Sequence, residues 1–372
     1  MTLFATANLT AQIVYGQSKV ISARVVYQSW KLTAGGEETN LTQSAFPFMV
    51  MIPLQDNWEV HFNSAISRSN YDYGDFDATL TSFSGTTLRA YRAFADDRMF
   101  ASLGLQLPSG TSELDTVEVR LAELISDDYL TTPVKQVTQG FGLIGQLGFA
   151  TEANAWLAYG ASVSYNLNGG FTYQENGEKY NPGDEFSLQF SATASATETS
   201  STDIDLSYRY YLADKVGSRE VFKSGGVMSI LLGQRNQFGK AGVQAYLGYI
   251  ARQKNSILFG NSLTTEEQNS NSNKLVLGGT LSYLLAPTVR ASVTGGYRSL
   301  SANDYESSST NFFGKSDVYS YGAGLEYTAP NKHYTFFARL LLHDGKANKD
   351  AAQDREIDVS GTEFTFGGRF SF

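Results

Sequence analysis

The stretch Ile204-Asp205-Leu206-Ser207-Tyr208-Arg209-Tyr210-Tyr211-Leu212 alternates residue by residue. Ile204, Leu206, Tyr208, Tyr210 and Leu212 fall on one face, and Asp205, Ser207, Arg209 and Tyr211 on the other. A period of two belongs to a β-strand, whose successive side chains point to opposite faces. The pattern returns in both directions along the chain. Trp58, Val60, Phe62, Ser64 and Ile66 alternate with Glu59, His61, Asn63, Ala65 and Ser67; Leu157, Tyr159, Ala161, Val163 and Tyr165 share one face; Leu275, Leu277, Leu281, Tyr283 and Leu285 oppose Lys274, Thr280 and Ser282. Soluble strands run about five or six residues, whereas a tilted membrane strand needs about 9 to 11, and these segments are of the longer kind.

Composition agrees. Charged residues make up 17% and aromatics 13% of the 372 residues, with 35 Gly and only 7 Pro. Mean hydropathy is −0.24, and the most apolar stretch, residues 334–342, is interrupted by Arg339, so the chain has no run that reads as a transmembrane helix. The sequence predicts an all-β transmembrane antiparallel up-and-down barrel of 14 or 16 strands. Sixteen candidates follow from Lys19 onward, occupying residues 18–372. Residues 1–17 are left as a plug or an extra strand that would displace a weaker candidate such as residues 45–52. Absence of Cys suits the cell envelope, and a net charge of −9 argues against a nucleic-acid partner. A barrel of this kind belongs in the bacterial outer membrane. It needs export, so a signal peptide is expected to have been removed from this numbering.

Connections alternate in length, as periplasmic turns and external loops do. Short ones fall at residues 55–57, 95–98, 151–154, 237–240, 286–288 and 329–332. Long ones are expected at 71–85, 108–136, 168–185, 254–273, 301–316 and 344–356. One long connection breaks the β rhythm. At about 113–130, Val117, Leu121, Leu124 and Ile125 recur at helical spacing while Asp115, Glu118, Arg120 and Glu123 lie elsewhere around the wheel. This predicts one amphipathic helix in an external loop, either packed on the rim or presenting its apolar side as a surface that collects hydrophobic ligand.

Strand parity assigns Arg24, Glu59, His61, Asp205, Arg209, Arg252, Arg290, Arg298, Glu326, Arg339, His343, Glu363 and Arg369 to the lumen. Of these, Glu59, His61, Arg209, Arg252, Arg298, Glu326, Arg339, Glu363 and Arg369 are candidate pore-lining residues, either a selectivity ladder or ion pairs that brace the wall. At the C-terminus Phe364, Phe366, Phe370 and Phe372 share the lipid-facing parity, and the terminal Phe370 and Phe372 resemble the signal read by the barrel assembly machinery.

Three short motifs carry a family resemblance: Leu103-Gly104-Leu105-Gln106-Leu107-Pro108-Ser109-Gly110, Pro53-Leu54-Gln55-Asp56-Asn57-Trp58-Glu59 and Lys179-Tyr180-Asn181-Pro182-Gly183-Asp184. Through them about half the chain resembles outer-membrane transporters for hydrophobic compounds, the long-chain fatty-acid and aromatic-hydrocarbon type and the group named for a phenol-degradation pathway. The chain departs from the fatty-acid transporters in having no Asn-Pro-Ala hatch motif near its start and too short a leader for their plug. The resemblance implies passive uptake of small hydrophobic compounds. A general diffusion porin for hydrophilic solutes, a structural or partner-binding barrel, and a barrel-embedded hydrolase using His343 and a nearby Ser are the alternatives. No catalytic residue, cofactor or metal site is expected. The expected surroundings are outer-membrane lipid and lipopolysaccharide, with oligomeric state left open.

Overall fold

The computed structural model describes residues 18–372 except 56, 75, 112, 136–137, 173–176 and 351–354. The expectation for residues 1–17 lies outside the described residues. The chain opens with five antiparallel strands: β1 (Val20–Ala34), β2 (Glu37–Pro53), β3 (Trp58–Tyr73), β4 (Phe76–Phe94) and β5 (Met99–Gln106). A long excursion follows, carrying β6 (Ser109–Gly110), α1 (Thr116–Ser126) and β7 (Thr138–Gln139). Then come β8 (Gly142–Asn154), β9 (Leu157–Asn168), the short β10 (Phe171–Thr172) and β11 (Lys179–Asn181), β12 (Glu185–Thr197) and β13 (Ser200–Tyr211). The short β14 (Asp214–Val216) and β15 (Arg219–Lys223) precede β16 (Val227–Phe238) and β17 (Ala241–Arg252). The short β18 (Ser256–Phe259) and β19 (Ser262–Thr265) precede β20 (Lys274–Ala286), β21 (Val289–Leu300), β22 (Ser316–Thr328), β23 (Tyr334–Asp350) and β24 (Arg355–Ser371).

Sixteen of these strands form one closed ring, in the order β1, β2, β3, β4, β5, β8, β9, β12, β13, β16, β17, β20, β21, β22, β23, β24. Closure is made by β1 on β24 from Val20↔Ser371 to Ala34↔Ile357. Lys19 and Phe372 also exchange backbone hydrogen bonds of 3.1 and 2.9 Å. A closed ring leaves no strand edge unpaired, which is the condition for placing a sheet in hydrocarbon. The outward side chains meet the other condition. Leu103, Leu147, Leu188, Leu206, Leu281, Val293, Leu325, Leu340 and Phe366 are all exposed, and an apolar belt of that extent is untenable in water but suits acyl chains. Gln28, Gln43, Ser67, Ser69, Ser102, Ser187 and Glu363 are buried polar residues on the opposite, inward parity.

The ring is not uniform in height. β1–β4, β23 and β24 run 15 to 19 residues, against 12 or 13 for the strands from β8 to β22. One side of the wall therefore rises beyond what the bilayer requires. Residues 71–85, expected as a long loop, belong to this tall wall. β3 and β4 pair as far as Tyr73↔Phe76, with Leu80 buried. Alternation was hidden there because the register slips between Asn63 and Ala65 and Gly85 turns with φ +67°. Phe83 before the slip and Leu88 after it both stay on the outer surface, so the outward parity on β4 changes from odd to even. Similarly, β23 and β24 occupy most of the expected loop at 344–356. β1 and β2 are joined by the two-residue turn Gly35-Gly36, both at positive φ, the geometry that matches strand twist in a tight hairpin. On the lower side of the ring, β10, β11, β14, β15, β18 and β19 form a six-stranded sheet, so three of the external connections pair with one another as hairpins.

Candidate functional site

α1 is set by its first residues. Asp115 accepts hydrogen bonds from the Val117 and Glu118 backbone N–H groups, both 2.8 Å, and Glu118 accepts from the Asp115 N–H at 3.0 Å, a reciprocal capping box. The helix ends at Ser126, so it is shorter than the expected 113–130. Lys135 terminates it, donating from Nζ to the carbonyls of Asp127 at 2.8 Å and Ser126 at 3.3 Å. Cations at this end are favoured by the helix dipole.

The apolar side of α1 does not face outward. Leu121 and Ile125 are 0% exposed. Together with Leu114, Ala122, Tyr129 and Leu130 they cluster against Trp30, Leu32, Leu41, Leu80, Ala347 and Val359 on the inside of the tall wall, with Leu124 partly buried beside them. Of the four residues expected to collect ligand, Leu121 and Ile125 are thus withdrawn from solvent, and Val117 and Leu124 are intermediate. The reason is that the wall beside the helix is itself apolar, so burying both surfaces removes more area from water than exposing either.

Beyond α1 the chain crosses the lumen. Gln28 Nε2 on β1 donates to the Thr131 carbonyl at 2.9 Å. Gln43 on β2 donates to the Val134 carbonyl and accepts from the Val134 N–H, both at 2.9 Å. On the far side, Arg252 at the end of β17 meets Asp128 Oδ2 at 2.8 Å, and Lys274 at the start of β20 meets Oδ1 at 3.6 Å. Lys135 lies 3.3 Å from the same oxygen. Arg298 on β21 donates to the Tyr129 carbonyl. β2 is second and β17 eleventh in the ring, nine places apart one way and seven the other, where half of sixteen is eight. The segment 127–135 therefore ties nearly opposite walls together.

Electrostatics follow from this geometry. Burial by itself would raise the Asp128 carboxyl, but Lys274, Arg252 and Lys135 outweigh it and hold the group down at about 2. Burial pushes the Lys135 ammonium below its ordinary range, although Asp128 opposes the shift.

The other expected lumen residues sort into three places. Glu363 on β24 accepts from Arg339 at 2.7 Å, Gln28 at 2.6 Å and Thr365 at 3.1 Å. Glu59 and His61 on β3 pair with each other, and the His61 ring lies 4.5 Å from that of Tyr91. Arg209, Glu326 and Arg369 join neither group: Arg209 sits at the register position of Ser187, Glu326 opposite Arg290, and Arg369 is exposed near the end of β24. His343 does approach a serine, with Nδ1 2.7 Å from Ser320 Oγ. Its ring is covered by Trp30 at 4.7 Å, and the hydrogen bonds of Glu363 go to Gln28, Arg339 and Thr365 instead. Phe364, Phe366 and Phe372 face outward, while Phe370 meets the Tyr334 and Phe336 rings at 5.9 and 5.6 Å.

Asp128, Lys135, Lys274, Gln28 and Gln43 escaped the sequence reading as site residues. A signal was present for the first: Asp127 and Asp128 follow the C-terminal end of a helix, where the dipole disfavours negative charge. An acidic pair there calls for cations from elsewhere in the fold.

Closed ring, apolar outer belt and polar lumen crossed by a folded-in loop define a transmembrane β-barrel of the bacterial outer-membrane type. No protein-family model matches the chain, and no curated protein matches it. Among solved structures it is similar to OpdL of Pseudomonas aeruginosa, at 11% identity and TM-score 0.49 over 95% of this chain and 99% of that one. It is also similar to OccAB4 of Acinetobacter baumannii, at 9% identity and TM-score 0.47 over 96% and 99%. A FadL homologue of Pseudomonas aeruginosa aligns at 8% identity and TM-score 0.45 over 95% and 90%. Likenesses at these identities assign neither a family nor a solute.

Proposed function

We propose that the protein is a passive channel for small water-soluble molecules, narrowed at its external mouth by the loop between β5 and β8. The observation that carries this reading is the polar inner wall. From Arg89, Ser102 and Gln146 through Ser162 and Gln189, hydrogen-bonded side chains run from strand to strand on the inward face, and such a wall substitutes for a solute's water. The narrower reading implied by the motif resemblance, uptake of aromatic or fatty compounds, draws on the apolar side of α1. The burial of Leu121 and Ile125 gives it no separate support, so the hydrophilic path is preferred here.

Liposome swelling with the purified, heat-modifiable protein tests the proposal. Arabinose and glycine should enter within seconds, and single-channel steps should appear in planar bilayers. Folded protein that passes neither sugar nor current would overturn the channel reading and favour a structural or partner-binding barrel. Exclusion of sugar with uptake of a neutral aromatic would restore the hydrophobic route.

A further inference from the structure

We propose that Arg252, Lys274, Arg298 and Lys135 form a binding site for small carboxylate-bearing anions at the mouth of the channel, and that the Asp128 carboxylate occupies this site as an internal stand-in for the solute. The inference rests on the channel reading and names the substrate class of the same site.

Charge is the first argument. Three cations meet one carboxylate within 3.6 Å, and Arg298 is held beside them through the Tyr129 carbonyl. Asp127 also acts on Lys135, and Glu363, which acts on Arg298, is itself paired with Arg339; four cations still face two carboxylates, so the site retains a surplus. The whole chain carries −9, which makes this surplus a local feature of the mouth rather than a property of the protein.

Arg298 supplies the second argument. Its side chain is deeply buried at 8% exposure, yet its Nε has no hydrogen-bond partner among the described residues. A buried guanidinium donor without an acceptor is costly, and an incoming carboxylate oxygen is the kind of group that satisfies it. Access is the third. Arg252 and Asp128 retain 39% and 33% of their side-chain exposure, so an anion arriving through water reaches the cations from the open side. Because Asp128 comes from the loop and the wall supplies Arg252, Lys274 and Arg298, an anion that replaces Asp128 also breaks the ion pairs that hold the loop across the lumen. Binding and opening are then one event.

The probe is benzoate, with benzamide as the neutral partner of matching size, titrated by calorimetry into folded protein in detergent. Wild type should bind benzoate and not benzamide. Asp128→Asn removes the competitor and should tighten benzoate about tenfold, whereas the double variant Arg252→Gln/Lys274→Gln should abolish binding. If the double variant fails to fold, the single Arg252→Gln, at a partly exposed position, should still weaken it several-fold. Equal binding of benzoate and benzamide, or an Asp128→Asn protein with unchanged benzoate affinity, would overturn the proposal. Calorimetry decides this site whether or not the protein conducts. Swelling without benzoate binding sinks the anion site alone, and benzoate binding without swelling sinks the channel alone.

Discussion

Leu206 and Ser207 are neighbours in the chain that meet different solvents. Leu206 is exposed on the outside of β13, whereas Ser207 Oγ lies 2.6 Å from Ser229 Oγ on the inner wall. Both sit near the middle of a strand spanning Ser200–Tyr211. Leu206→Arg places a charge in the hydrocarbon and should cost about 2 to 4 kcal/mol. Ser207→Arg should cost much less, because its charge reaches the polar lumen. A urea titration of refolding into lipid bilayers reads the difference, and equal losses would mean that the two faces have been exchanged. This parity was legible from the alternation of Ile204 to Leu212 alone. Asp128 was not, because its partners come from β17, β20 and the far end of its own loop, and no local pattern predicts which cations will converge.

At the scale of elements, α1 was legible as a helix but not in its placement. Spacing of Leu121, Leu124 and Ile125 shows that one side is apolar; it is silent on what that side meets. The structure seats it on Trp30, Leu41 and Leu80, so the helix anchors the crossing segment instead of presenting an open patch. Leu121→Ala deletes a fully buried side chain and should weaken docking of the loop by about 2 to 5 kcal/mol, with the barrel itself intact. Limited proteolysis checks this: the loop should be cut in the variant at protease levels that spare the parent, while heat-modifiable migration stays unchanged. Undiminished protection would show that the hydrogen bonds from Gln28 and Gln43 hold the loop without the apolar cluster.

For the whole molecule, the ion pairs at the mouth predict a response to acid. Asp128 is held below its ordinary value of 3.8, at about 2. A depressed carboxyl contributes stability that is fully present above the ordinary value and is lost as pH falls through the folded one. The charged groups that face it are the cations Arg252, Lys274, Lys135 and Arg298. Channel current should therefore hold steady from neutral pH down to about 4 and change as the loop releases between about 4 and 2. Asp128→Asn should lose that acid transition. A transition of the same size in the variant would assign it to other carboxylates.

Period-two alternation, segment length and the want of any helical span fixed a membrane barrel, because a strand's two faces must each match their solvent and that demand is written residue by residue. The alternating connections gave most of the hairpins for the same reason. Tertiary structure alone decided the tall wall at β3 and β4, where a register slip at Gly85 masks the alternation, and the fate of the loop between β5 and β8. Whether an amphipathic helix lies on a rim or folds inward depends on the apolar area waiting on strands more than thirty residues away. Which charges pair across a lumen depends on ring closure, and neither quantity exists until the sixteen strands are joined.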